Sequence, residues 1–187
     1  VIAIPGDLLG IETISGTMEH AGINAMLHKM VTCEIAANVK AVPDMDALSY
    51  LKLIAARFSN AEIIDTTRRV AFDGSSRQPG FIVPSIRDAL ANGQPIDGLA
   101  LLSALWARYC LGAREDGSKI EPNDPNWDGL QRVAKAALNE PAAWLGMRQY
   151  YGDLGGNTVF SGAFARWHNM IMGDGVEAAL SAYANED

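Results

Sequence analysis

The residues best placed for chemistry crowd into one stretch, Asp65-Thr66-Thr67-Arg68-Arg69-Val70-Ala71-Phe72-Asp73-Gly74-Ser75-Ser76-Arg77-Gln78-Pro79. A helical segment there runs into an Asp-Gly-Ser-Ser turn, which exposes backbone N–H groups and two hydroxyls. Arg69 and Arg77 stand eight residues apart on either side of it. Because the chain reverses between them, the two guanidinium groups can converge on one concave site, with Asp73, Ser75 and Ser76 beside them. Rigid forks of N–H donors suit vicinal hydroxyls or a carboxylate. The same spacing admits a plainer outcome. Arg69 would pair with Asp65 or Asp73, each four residues away, and Arg77 would top a helix without a ligand. Thr66, Ser75 and Ser76 would then be ordinary caps.

Other chemistries lack their parts. Gly152, Gly155 and Gly156 follow no strand and have the wrong spacing for a dinucleotide cradle. His20, His28 and His168 are scattered, with no HExxH or CxxC, so no metal site is expected. No Gly-x-Ser-x-Gly elbow occurs. Cys33 and His28 lie five residues apart, on different faces of a helix, which argues against a thiol nucleophile. His168 reads as structural, and Trp106, Trp127, Trp144 and Trp167 as core residues at helical apolar positions.

The elements that must position the arginines are helical. Ile23, Met26, Leu27, Met30, Val31, Ile35 and Val39 form one face of a long helix. Pro43 breaks it and Asp44 can cap a second helix carrying Leu48, Leu51, Ile54, Ala55 and Phe58. A third is predicted from Asn60 through Ile63, Ile64, Val70 and Phe72. After Pro79, a helix through Ile86 and Leu90 ends at Asn92-Gly93. Asp97 is expected to cap a helix apolar nearly all round, from Leu99 to Leu111, hence central and buried. Gly112 stops it and the EDGSK run is an exposed turn. Asp124-Pro125 and Asn139 with Pro141 open two more, and residues 158–171 and 176–183 complete the set. Strand signals are nearly absent; FIV at 81–83 stops at Pro84. The reading is an all-α, multi-helical bundle of about eight to ten helices.

The 187 residues, 49% apolar and 20% charged, suit one globular domain. A net charge of −7 argues against nucleic acid and against an anionic membrane surface. No apolar run reaches the length of a membrane span. Cys33 and Cys110 are read as buried free thiols in a reducing, cytoplasmic setting. The chain opens at Val1, already inside the apolar stretch VIAIPGDLLGI, and is expected to be a piece of a longer protein.

The run DTTRRVAFDGSSRQPGFIVPSIRDAL resembles the signature of the mannitol dehydrogenase C-terminal domain. That domain belongs to the long-chain polyol dehydrogenases, alongside the fructuronate and tagaturonate reductases. The likeness continues through PIDGLALLSALWARYCLGAREDGSKIEPNDP, and upstream through GIETISGTMEH and MLHKMVTCEI; it is sharpest from residue 57 to residue 126. The resemblance implies a helical fold like the phosphogluconate dehydrogenase C-terminal domain. It makes residues 1–187 a substrate-binding half whose partner is an N-terminal Rossmann domain of the same protein, absent from this chain, that holds most of the NAD. It implies interconversion of a mannitol-type polyol and a fructose-type ketose. The general base would be a lysine in a Lys-x4-Asn-x2-His segment ending just before Val1, so the chain alone would be inactive. Arg69 then matches an arginine that contacts substrate hydroxyls, and Arg77 a basic substrate-binding position that is usually lysine. Asp73, Ser75 and Ser76 belong to the same motif. Gln78-Pro79-Gly80-Phe81 departs from the Lys-x-Pro-Gln form of the uronate reductases, which points to neutral polyols. The alternatives are a fructuronate- or tagaturonate-type reductase domain acting on a sugar acid, and a non-catalytic helical protein-interaction module.

Overall fold

A computed structural model describes residues 1–36 and 46–186. The predicted positions Val39, Pro43 and Asp44 lie outside them. Among the described residues there are thirteen α-helical segments and no strand, only the isolated bridges Thr13–Thr66 and Ala113–Lys119. The architecture is the all-α bundle read from the sequence. The count exceeds eight to ten because several segments have only four to six residues, too short to leave a periodic signal.

Helix α1 (Ala3–Leu8), α2 (Ile14–Glu19) and α3 (Ala21–Met30) follow one another, and α3 runs into a π-helical turn at Val31–Ile35. Helix α4 (Ala47–Phe58) leads to α5 (Thr67–Ala71) and α6 (Gly74–Arg77). A second π-helical turn, Gln78–Ile82, joins α6 to α7 (Val83–Ala91). Then come α8 (Asp97–Tyr109), α9 (Trp127–Ala137), α10 (Ala142–Leu145), α11 (Arg148–Tyr151), α12 (Thr158–Asp174) and α13 (Val176–Asn185). Helix α8 is the axis: all of it except Asp97 and Arg108 is buried, and it packs along α12. Trp106 of α8 meets Trp144 edge-on at 4.8 Å and Tyr150 at 5.6 Å. All four tryptophans are buried, as their spacing predicted.

The start of α8 corrects one expectation. Asp97 does not cap it. Asp97 lies in the first turn and pairs with Arg166 at 2.7 Å. The free N–H groups of Gly98 and Leu99 instead donate to the Glu34 carboxylate, at 2.6 and 3.0 Å, and the Tyr183 hydroxyl donates to it at 2.7 Å. A carboxylate brought from the π-turn thus satisfies the positive end of the central helix. Burial still pushes the Glu34 pKa upward, against these three hydrogen bonds. Gly98 is needed there, since a Cβ would fall 2.3 Å from the Tyr183 Oη.

Two more readings change. Residues 60–66 form no helix, because that backbone pairs with the α1–α2 linker: Ile14 N–H donates to Asp65 O and Thr67 N–H to Glu12 O. Ile63, Ile64 and Phe72 are consequently exposed. Cys33 is exposed on the π-turn, whereas Cys110 is buried as predicted.

His168 is a core residue, 1% exposed and stacked on Phe164. Burial holds its pKa below the ordinary histidine value, with Asn169 pulling the other way. The unfolded chain therefore binds this proton first, and stability falls as pH drops from about 6.5 toward the folded-state value. His168→Phe should flatten that part of a thermal-midpoint-versus-pH curve relative to the wild type. Parallel curves would show that another group carries the acid sensitivity.

Candidate functional site

The turn between α5 and α6 is built before it is decorated. Thr66 caps α5 by accepting the Arg69 N–H at 3.2 Å. Asp73 then takes a left-handed conformation, φ 62°, tolerated by Asp better than by most residues. Gly74 follows with its Cα against the Trp106 indole, where a Cβ would sit 2.3 Å from Nε1. Only glycine lets α6 start that close to α8. The Ser75 N–H donates to Asp124 Oδ2 at 2.8 Å, and its hydroxyl accepts from Asn126 Nδ2 at 3.2 Å.

This turn brings Arg69 and Arg77 to one cavity of about 410 Å³, shared with Arg68, Phe72 and Asn123. The convergence read from the sequence is present, and so is half of the plainer alternative. Arg69 grips Asp65 through Nε at 2.6 Å and through Nη2, with its side chain 73% exposed. That fork holds the Asp65 carboxyl below its usual range. Arg77 differs. Its Nε donates to Phe72 O at 2.9 Å, which fixes the guanidinium across the turn, and neither Nη has a partner among the described residues.

The other three predicted residues separate. Asp73 and Ser75 hold the turn: the Asp73 carbonyl accepts from Ser76 and Arg77, and the Ser75 hydroxyl faces inward. Of the two turn hydroxyls only that of Ser76 is exposed, and neither it, Asp73 nor Ser75 lines the cavities beside Arg77.

Arg77 also borders a second cavity, of about 220 Å³, floored by Ile4, Ala71 and Leu102 with Val1 and Phe81 at its edges. Gln78 lines it as well. A third, polar cavity of about 430 Å³ lies between α1 and the 114–118 turn. Its arginines are already committed: Arg68 to the carbonyls of Glu121 and Pro122, Arg114 to Asp7. Among the described residues no cluster of three His, Cys, Asp or Glu side chains could hold a metal ion.

The structure adds residues that spacing did not single out. Asp7, 3% exposed, accepts from the Tyr109 hydroxyl at 2.7 Å and from Arg114 Nε at 2.8 Å. Asn123 Nδ2 donates to that same hydroxyl and to Arg68 O, while Asn123 O accepts the Asp73 N–H. The Tyr109 hydroxyl is pushed well above its ordinary pKa by burial and by the Asp7 carboxylate. Asp7 had one signal, a lone acid inside VIAIPGDLLGI; Asn123 had none.

The family model for the mannitol dehydrogenase C-terminal domain matches residues 1–172. Mannitol 2-dehydrogenase of Cereibacter sphaeroides is 50% identical over 183 residues, covering 98% of this chain and 38% of that protein. The enzyme of the same name from Pyricularia oryzae is 31% identical, covering 97% and 36%. The solved ternary complex of Pseudomonas fluorescens mannitol 2-dehydrogenase with NAD and D-mannitol superposes at a TM-score of 0.94 with 27% identity, over 100% of this chain and 38% of that one. The chain thus spans little more than a third of the relatives it matches.

The Asp7 network makes a measurable claim. Asp7→Asn removes the charge facing Arg114, which is itself a quarter exposed, so the loss should sit near the low end for a broken buried pair, about 3 kcal/mol. Tyr109→Phe should cost about 1 kcal/mol. Urea unfolding midpoints check both; an Asp7→Asn protein as stable as the wild type would show that the network carries no stability.

Proposed function

This chain belongs to the mannitol dehydrogenase C-terminal domain family, and we propose that residues 1–187 are the helical substrate-binding domain of an NAD-linked polyol dehydrogenase. The whole protein, on this reading, interconverts a mannitol-type polyol and a fructose-type ketose. The observation that carries it is Arg77, a fixed guanidinium with both Nη groups unpartnered among the described residues, at the wall shared by two cavities. The likeness to a mannitol- and NAD-bound structure supports the choice of substrate class.

NAD, where bound, supplies the acceptor for hydride. The described residues do not fit it, since no strand precedes their glycine-rich turn at 152–156. On this reading nucleotide binding belongs to an N-terminal Rossmann domain of the whole protein and the general base to a lysine in the segment just upstream of Val1; the setting is taken as cytoplasmic. Among the described residues no helix is long and apolar enough to cross a membrane.

What these residues contribute is orientation. The Arg77 Nη groups donate to substrate oxygens, and the Phe72 carbonyl fixes the angle from which they do so. The apolar floor keeps water off one side of the chain of carbinols and strengthens each hydrogen bond made there. Arg69, half occupied by Asp65, adds a weaker contact. Holding a flexible polyol in one register lowers the entropic part of the barrier for whichever carbinol reacts.

The test uses the whole protein with NAD and a panel of hexitols, following reduced nicotinamide by absorbance. Arg77→Ala should raise KM about tenfold or more, the worth of one charge-assisted hydrogen bond, with a smaller effect on kcat. Arg69→Ala should do less. The 187-residue chain alone should give no turnover. An Arg77→Ala enzyme with unchanged KM for every polyol would reject this assignment of the site.

A further inference from the structure

Gln78, 4% exposed, sits in the wall of the Arg77 cavity, and its Oε1 has no hydrogen-bond partner among the described residues. Native interiors seldom keep a carbonyl in that state. The surroundings explain why none of them supplies a donor. Val70, Ala71, Ile82 and Leu102 give the cavity an apolar wall, the Arg77 Nε is taken by Phe72 O, and the next residue, Pro79, has no N–H. Gln78 also opens the π-turn Gln78–Ile82, which sets its backbone rigidly between α6 and α7.

Resting on the polyol reading above, we propose that the Gln78 side-chain amide is a specificity-determining group of the substrate site, its carbonyl accepting a hydrogen bond from one substrate hydroxyl beside the Arg77 guanidinium. The oxygen is sealed from solvent as it stands, but the terminal torsion of a glutamine is broad and lets the amide turn toward an entering hydroxyl. A hydroxyl both accepts and donates, so neighbouring carbinols satisfy Arg77 and Gln78 together. An ionised carboxylate only accepts. It satisfies Arg77, and Gln78 meets it only with the amide turned to donate from Nε2. A site that pairs one substrate hydroxyl in this way discriminates strongly against a ligand that lacks it.

The experiment crosses Gln78→Met and Gln78→Glu with mannitol and its monodeoxy analogues, in the whole protein with NAD. Gln78→Met keeps length and removes the hydrogen bond; it should lower kcat/KM for mannitol about tenfold, mainly through KM. For one deoxy analogue the wild type and Gln78→Met should then be equal, because the partner hydroxyl is already gone. Gln78→Glu retains an acceptor and should stay sensitive to loss of that same hydroxyl, which keeps the test alive if the methionine variant folds poorly. Losses that multiply for every analogue, or a Gln78→Glu enzyme indifferent to which hydroxyl is missing, would overturn the proposal. A wild-type protein that oxidises no hexitol would instead fail the polyol reading itself, and the proposal with it.

Discussion

The structure hangs on one buried carboxylate. Asp7 lies in the short first helix, 3% exposed, where an unpaired charge would not be tolerated. Arg114 answers it at 2.7 Å and the Tyr109 hydroxyl at 2.7 Å, so a single side chain ties α1, the end of α8 and the 113–119 bridge. The tie does not stop there. Asn123 carries it from the Tyr109 hydroxyl to the carbonyl of Arg68 and the N–H of Asp73, which flank the turn between the two site arginines. Asp124 carries it on to the Ser75 N–H. The turn that carries Arg77 is thus within a few hydrogen bonds of Asp7.

That arrangement answers a difficulty that small helices create. Helices α5 and α6 have five and four residues, far too few to be stable alone. Their geometry is imposed from outside: by Trp106 against Gly74, by the Asn123-Asp124 pair, and by the left-handed Asp73 between them. A site carried on such pieces is as rigid as the core it leans on, and the core here is α8. Glu34 matters to the site for the same reason, since it holds the N-terminal end of α8 from 64 residues away in sequence.

Legibility in the sequence followed the range of the interactions. The buried α8, the stop at Asn92-Gly93 and the convergence of Arg69 with Arg77 depend on residues close in sequence, and periodicity or turn chemistry exposed them. The failures were long-range. Asp97 looked like a cap because its type and place suited one, and nothing local marks Glu34 as the group that does the work. Residues 60–66 have helical composition, but the Asp65 carbonyl accepts from Ile14 and the Thr67 N–H donates to Glu12. Ser75 looked like a ligand-facing hydroxyl, but that hydroxyl accepts from Asn126 and the Ser75 N–H donates to Asp124. Gln78 stood in the motif only as a departure from another family's pattern, and its orphaned carbonyl is visible only once its neighbours surround it.

The contrast between the two arginines bears on what the site prefers. Two free guanidinium groups on one cavity would draw a carboxylate strongly. Asp65 neutralises Arg69 in place, which leaves two of the three guanidinium charges on that cavity, Arg77 and Arg68, and the donors of Arg68 are taken by the Glu121 and Pro122 carbonyls. The overall charge of −7 cannot do this sorting, because its field is screened within about 8–10 Å at physiological salt. Discrimination between a neutral polyol and a sugar acid has to be settled by groups in contact, and the groups in contact here are one uncompensated donor, one acceptor without a partner, and an apolar floor. A carboxylate would satisfy the first of these and be penalised by the apolar floor. On the proposed reading a row of hydroxyls on a carbon chain would meet all three, with its oxygens toward Arg77 and Gln78 and its C–H edges on Ala71 and Leu102.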